Sequence, residues 1–244
     1  MSAQTLIAAA HTLAAQLDDL SFSAPVTHVY NPLDYAGAAH DQYLTQWGDQ
    51  PQPRRVVFLG MNPGPFGMVQ VGVPFGEVSI AHDWLRIDAP IRQPLAMNPK
   101  RPVEGWACTR SEVSGRRLWG LFRDRFGTPE HFFAEHFVAN YCPLAFFDGG
   151  RNVTPDKLPS AEMAPVIAAC DAHLCTLIET MQPEWVIGVG AYAQAQAERA
   201  LAGSTHHPKI GRVLHPSPAS PAANRGWAEA ATKQLVEQGV WPAA

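Results

Sequence analysis

The chain has 244 residues, of which 46% are hydrophobic and 16% charged, enough apolar material for a sizeable core and incompatible with a disordered chain. Its formal net charge of −4 argues against a protein that coats nucleic acid without discrimination. Uninterrupted apolar runs stop short of the roughly 18 residues a membrane span needs, and the first residues lack the charged head and apolar core of a signal segment; an intracellular protein with no membrane contact is expected.

Residues 5–17, with Leu6, Ala9, Leu13 and Leu17 at helical spacing, predict an amphipathic helix. A segment 1–20 built on it should pack against a single domain covering 1–244, acting as a monomer. A β-branched run then predicts a strand at Arg54–Leu59, and a helical pattern follows at about Ser114–Phe126. Further strands are expected at Phe137–Asn140, Glu184–Val189 and Ile210–Leu214, each bounded by Pro or Gly. Between them helices are expected at Ser160–Met181 and Ala191–Ala202, and after Pro221 a last one at Ala222–Gln238. Strands alternating with helices predict an α/β fold of three layers, a four-stranded parallel sheet flanked by helices. Ligands of such sheets bind beyond the carboxyl ends of the strands. The glycine-rich and polar segments Gly60–Gly76, Asn140–Pro143 and His215–Pro221 follow those ends, so three loops should converge on one rim.

Cys108, Cys142, Cys170 and Cys175 are too few and too scattered for a disulfide framework, and no C-x-x-C pair suggests zinc or an iron–sulfur cluster. Neither a metal nor a cofactor is expected. Basic residues are unevenly placed. Between Lys100 and Gly127 there are seven Lys or Arg against three acids, and from Gly203 to Trp227 three basic residues, three histidines and no acid. Such patches suit a polyanion that is gripped briefly, although a solvated face has the same composition.

The loop Gly60-Met61-Asn62-Pro63-Gly64-Pro65-Phe66-Gly67 is rigid and lets a ligand approach its backbone closely. Its prolines supply no N–H, and no Gly-Lys-Ser/Thr closes it, so it is a poor phosphate cradle. Asn62 is an amide that cannot take a proton but can hold a water molecule; alone it would read as a turn residue. His215, at a strand end before alternating prolines, can donate a hydrogen bond to an oxygen gaining negative charge. Asn140, also at a strand end, carries the donor pair and acceptor needed to read an imide edge such as N3–H and O4 of uracil. Phe75 can stack on a flat base. The loops contain no lysine nucleophile for a Schiff base and no carboxylate pair for glycoside chemistry of that type. Gly-x-Ser-x-Gly, H-E-x-x-H and a complete dinucleotide fingerprint are absent too.

These residues stand in a recognisable context. Tyr30-Asn31-Pro32, Phe58–Met68, Gly72–Val78, Ser111–Gly115, Asn140 with Cys142-Pro143-Leu144, Gly150-Arg151-Asn152, His215-Pro216-Ser217-Pro218 and Asn224–Trp227 together resemble the single-strand-selective monofunctional uracil-DNA glycosylases, a branch of the uracil-DNA glycosylase superfamily. The resemblance runs from about Val29 to Gly239. It implies a DNA-repair hydrolase that flips uracil into a pocket and leaves an abasic site. Asn62 would position water and His215 would stabilise the uracil anion at O2. Met61 through its backbone, Phe75 and Asn140 would bind the base. Gly64 would stand where the superfamily's uracil-restricted members carry a bulky side chain, which fits acceptance of 5-hydroxymethyluracil and other C5-oxidised uracils. The segment Pro216, Ser217, Pro218, Ala219, Ser220 to Arg225 would be the wedge that replaces the flipped base. Vertebrate members carry an arginine where this chain has Ala219, which leaves duplex activity open.

Other readings are a glycosylase of the same fold with a different preferred base, a lesion-binding protein without turnover, and an α/β nucleotide-binding protein. Asn140 favours a pyrimidine in the first case. Retention of both Asn62 and His215 speaks against the second, and the proline-rich loop against the third.

Overall fold

The computed structural model describes residues 3–49 and 51–242. Its strands are β1 (His28–Tyr30), β2 (Val56–Gly60), β3 (His136–Asn140), β4 (Ala145–Asp148), β5 (Arg151–Val153), β6 (Trp185–Val189) and β7 (Lys209–Val213). Four of them form the expected parallel sheet, in the order β3-β2-β6-β7. Val56–Gly60 is buried throughout, as a central strand covered on both faces requires. β1, β4 and β5 form a separate antiparallel sheet that the sequence pattern does not announce. Strands of three or four residues are too short to show a period.

The helices are α1 (Ala3–Asp18), α2 (Pro32–Tyr35), α3 (Gly37–Tyr43), α4 (Met68–Val71), α5 (Val113–Phe126), α6 (Pro129–Glu135), α7 (Ser160–Met181), α8 (Ala191–Ala200) and α9 (Trp227–Glu237). α1 buries Leu6, Ala10, Leu13 and Leu17 and packs on α7, which continues to α8 over β6 and β7. α5 packs on α6 and α9, and these meet β3 and β7. Between α5, α6 and the sheet lies an aromatic cluster in which Phe58 is 4.8 Å from Phe122 and Phe122 stacks on Phe132 at 4.4 Å. The outer edge of β7 is closed by a side chain: Gln238 accepts from Arg212 N at 3.0 Å and donates to Arg212 O at 2.9 Å. That satisfies backbone groups an edge strand would otherwise leave open.

One expectation needs correction. The last helix begins at Trp227 and not at Ala222, because Gly226 has φ 117° and Ala223–Arg225 forms a separate 3₁₀ turn. The segment α7 does reach the length and mean hydropathy of a membrane span. Here, however, it packs between α1 and α8, and its Asp171 accepts from Tyr141 Oη at 2.7 Å and from Arg199 Nη2 at 2.7 Å.

Candidate active site

The carboxyl ends of the parallel strands open into a cavity of about 520 Å³, within the range of small-ligand sites. It is lined by Met61, Asn62, Gly64, Phe75, Asn140, His215, Ser217 and Pro218, all singled out from the sequence, together with Phe66, Glu112, Asn152 and Thr154 among others. Pro216, Ala219, Ser220 and Arg225 lie outside the lining.

Register explains the meeting of the first residues. Gly60 and Asn140 are paired neighbours at the ends of β2 and β3. A Cβ on Gly60 would collide with Asn140 Oδ1 and with the Phe75 ring, so glycine lets the asparagine and the aromatic ring sit together over the strand end. The ladder continues beyond both strands through Tyr141 N–H to Gly60 O and Cys142 N–H to Met61 O, each 2.9 Å. It thereby fixes the backbone that carries Asn62. Asn62 Nδ2 donates to Leu144 O at 3.2 Å, which leaves the amide oxygen as the group able to accept from a water. Asn140 Nδ2 reaches Met68 Sδ at 3.2 Å, while its buried Oδ1 has no hydrogen-bond partner. A buried acceptor left open costs roughly 1–3 kcal/mol until a ligand donates to it.

Phe75 is held in an uncommon conformation, with φ 54°, a left-handed geometry that costs a non-glycine residue about 1–2 kcal/mol. Helix α5 holds it there. Trp119 Nε1 donates to Pro74 O at 3.1 Å, and Gly115 comes so close to Phe75 O that a side chain there would overlap it. The Phe75 and His215 rings are 6.5 Å apart. His215 packs on Gly190, whose φ is 97° and where a Cβ would lie 3.2 Å from the histidine. The Gly188-Val189-Gly190 run therefore serves packing: Gly188 admits the backbone of Gln194 on α8, and Gly190 admits His215.

The imidazole is polarised by its own loop. Ser217 N–H donates to His215 Nδ1 at 3.1 Å, so Nδ1 is the acceptor and the proton of the neutral ring resides on Nε2. Burial lowers the pKa below its ordinary value, because desolvation disfavours the charged ring. Thus His215 presents a neutral N–H donor at pH 7.

Sequence reasoning missed Glu112. It stands just before α5, lines the cavity, and accepts from Phe66 N–H at 3.2 Å. Burial raises its carboxyl pKa, opposed by the amides of Phe66 and Ser114. The space beside Gly64 is not open as expected from the residue's size: a Cβ there would run into the Glu112 carboxylate. The glycine at 64 makes room for this side chain, and the signal was present in Ser111–Gly115 but lay 48 residues from the loop it supports. Asn152, whose Oδ1 is buried without a partner, arrives from the small antiparallel sheet and was likewise not anticipated as a lining residue.

The segment Pro216–Arg225, expected to act as the wedge, is braced from α5. Arg117 Nη1 donates to Pro216 O at 2.9 Å and Nη2 to Asn224 Oδ1 at 2.8 Å, while Asn224 Nδ2 donates to Pro218 O at 2.9 Å. Ser217 Oγ accepts from Ala219 N at 3.1 Å. Pro216 is buried, whereas Pro218, Ala219 and Arg225 are exposed.

This arrangement has known counterparts. Residues 47–237 match the profile of the uracil DNA glycosylase superfamily. The single-strand selective monofunctional uracil DNA glycosylase of Mus musculus is 48% identical over 231 residues, which is 94% of this chain and 82% of that protein. The Bos taurus counterpart is 47% identical over 228 residues, covering 93% and 83%. Among solved structures, SMUG2 of Pedobacter heparinus superposes with a TM-score of 0.64 over 95% of this chain and 97% of that one; at 16% identity it supports the fold alone. The chain belongs to the uracil-DNA glycosylase superfamily of N-glycosidic hydrolases.

Proposed function

We propose that this enzyme removes uracil, and uracils oxidised at C5, from DNA by hydrolysis of the N-glycosidic bond, leaving an abasic site. The observation that carries the reading is the convergence of Asn62, Phe75, Asn140 and His215 on one cavity, with the histidine polarised as an Nε2–H donor. A base stacked within a duplex is out of reach, so the nucleotide must be extruded or already unpaired.

In the cavity Phe75 stacks on the pyrimidine. The open Oδ1 of Asn140 accepts N3–H, and its amide nitrogen exchanges the Met68 thioether for O4. As the bond between C1′ and N1 breaks, its electron pair leaves with the base, and the charge spread to O2 is met by His215 Nε2–H. Water held by Asn62 Oδ1 then adds to C1′ and its proton passes to solvent, since an amide cannot take it. The C5 edge faces Gly64 and Glu112, where a hydroxymethyl group would find a carboxylate acceptor. No lysine is among the described residues lining the cavity, which agrees with a monofunctional course and not one through a Schiff base.

The test is incubation with a uracil-containing single-stranded oligonucleotide, followed by mild alkali. Strand cleavage should appear only after alkali. Absence of cleavage at any enzyme excess would refute the reading. Asn62→Ala and His215→Leu should each lower the single-turnover rate by about 10²–10³-fold, the scale for losing a transition-state donor or misplacing a nucleophile, with binding little changed.

A further inference from the structure

We propose that Arg101 and Arg110, seated on Phe66 at the mouth of the base cavity, form a phosphate-binding site for the substrate strand, on a rim other than the wedge. The inference rests on the proposed action on DNA and adds where the strand is gripped.

The distribution of ion pairs points to it. Among the described residues, Arg55, Arg86, Arg92, Arg123, Arg151, Arg199, Lys157, Lys209 and Lys233 each lie within 4 Å of an acidic partner. None of these lines the cavity. Of the basic residues that form no ion pair among the described residues, Arg54 is buried and Arg125 stacks on Trp241, and Lys100, Arg212 and Arg225 make no contact with the cavity wall. Arg101, Arg110, Arg116 and Arg117 are the ones held against the cavity wall or the His215 loop. Arg116 Nη1 donates to the lining residue Ser111 at 3.0 Å, and Arg117 holds Pro216. Arg110 lies over the Phe66 ring at 3.9 Å and Arg101 at 5.2 Å, and Phe66 itself lines the cavity. Arg101 is further fixed by donation from Nε to Gly150 O at 2.7 Å.

A protein with net charge −4 that binds a polyanion must concentrate uncompensated positive charge where the polymer passes. Stacking on an aromatic face orients a guanidinium while leaving its N–H edge available for bidentate contact with a phosphate. Acids do stand nearby: Glu77 and Asp83 share a pocket wall with Arg110 and Glu104 adjoins Cys108. None lies within 4 Å of either guanidinium among the described residues, and Glu112, Glu77 and Asp83 hydrogen-bond to Phe66 N, to Ser79 Oγ at 2.6 Å and to His82 Nδ1 at 2.8 Å. The phosphodiester flanking the flipped nucleotide is the one anion that must pass this mouth. The grip here also offsets what Ala219 withholds on the wedge side, since alanine reaches no phosphate.

The experiment measures the affinity of the full chain for an undamaged single-stranded oligonucleotide at several salt concentrations, alongside excision from its uracil-containing version. The variants are Arg101→Ala, Arg110→Ala, the double variant, Arg110→Lys, and Arg123→Ala as a distant control. Removing one arginine that neutralises a phosphate should lower the slope of log K against log salt by about 0.7. At low salt Kd should rise several-fold for each single variant and more for the double. Arg110→Lys should recover most of the slope but not all of the affinity, because the charge returns without the fork. Thermal melting identifies any variant that fails to fold; Arg110→Lys then serves as its replacement. A double variant with the slope and Kd of the natural chain, or no different from Arg123→Ala, overturns the proposal while leaving the glycosylase reading intact if uracil is still released. Salt-dependent binding that weakens as expected without any uracil release would sustain this site and sink that reading.

Discussion

Ser217 gives its backbone N–H to His215 Nδ1, and this single contact decides what the imidazole can do on its other side. With Nδ1 occupied as an acceptor, a proton on Nε2 makes the ring a neutral donor; a second proton would have to displace the Ser217 bond and would also be desolvated. Burial holds the folded-state pKa below the ordinary value near 6.5, and the Ser217 bond to Nδ1 acts in the same direction. Nitrogen-resolved NMR of the ring should therefore show Nε2 protonated and Nδ1 bare at pH 7, with a titration midpoint below 6.5. The acid limb of the pH–rate profile due to His215 should accordingly have its midpoint below 6.5. A ring protonated on Nδ1, or a midpoint above 6.5, would contradict the assignment. At this scale the sequence was informative about residue type and poor about context. Asn62, Asn140 and His215 could be picked out because each follows a strand end. Glu112 could not, because its role depends on the missing side chain of Gly64 in a segment far away along the chain.

Helix α5 and strand β3 show how elements supply what residues need. The amino-terminal half of α5 positions Phe75 through Gly115 and Trp119, and between them Arg117 braces the Pro216–Arg225 segment. Its other end joins the aromatic cluster around His136, the first residue of β3. His136 Nδ1–H donates to Phe132 O at 3.2 Å and Nε2 accepts from Trp241 Nε1 at 3.1 Å, so the neutral ring is fully paired. Burial is the main cause that lowers its pKa to about 3. The unfolded chain binds a proton near pH 6.5 and the folded chain does not, so this contribution to stability is complete above pH 6.5 and is lost as pH falls toward 3. Between pH 7 and pH 5 the loss should be about 2 kcal/mol, or several degrees in melting temperature for a chain of this size. His136→Gln should be less stable at pH 7 but should show a shallower fall toward pH 5 in denaturant titrations; parallel slopes would rule the assignment out. The longer elements were legible because their periods run for many residues, as with α7, whose bounds agree at both ends. Thr128 before Pro129 and Asn31 before Pro32 are cap signals for α6 and α2 that short helices make easy to pass over. The antiparallel sheet had no comparable signal, since its strand β1 draws its stability from pairing with a segment more than a hundred residues away.

At the scale of the whole molecule, a paired base sets an acidic protein whose proposed wedge ends in alanine a harder task than an unpaired one. Extruding a nucleotide costs a few kcal/mol, and a side chain inserted into the gap returns part of that cost. Here the segment proposed to insert is braced by hydrogen bonds, with Arg117, Asn224, Ser217 and Ser220 all bonded within or onto it, but its exposed tip is Ala219, whose methyl group would fill little of the gap. An unpaired strand has no gap to fill, so the short tip penalises only duplex substrates. Single-stranded uracil should be excised fastest, U:G next and U:A slowest, in the order of increasing cost to open the pair. Ala219→Arg should raise the duplex rates several-fold relative to the single-stranded rate. An added arginine also strengthens binding to any DNA, so the ratio of rates is the deciding measurement. Ala219→Leu separates the two causes: if filling the gap matters it too should narrow the ratio, and if charge alone matters it should not. Unchanged ratios in both variants would mean that the tip of this segment is not what limits duplex repair, and the ordering of substrates would then reflect the cost of opening the pair alone.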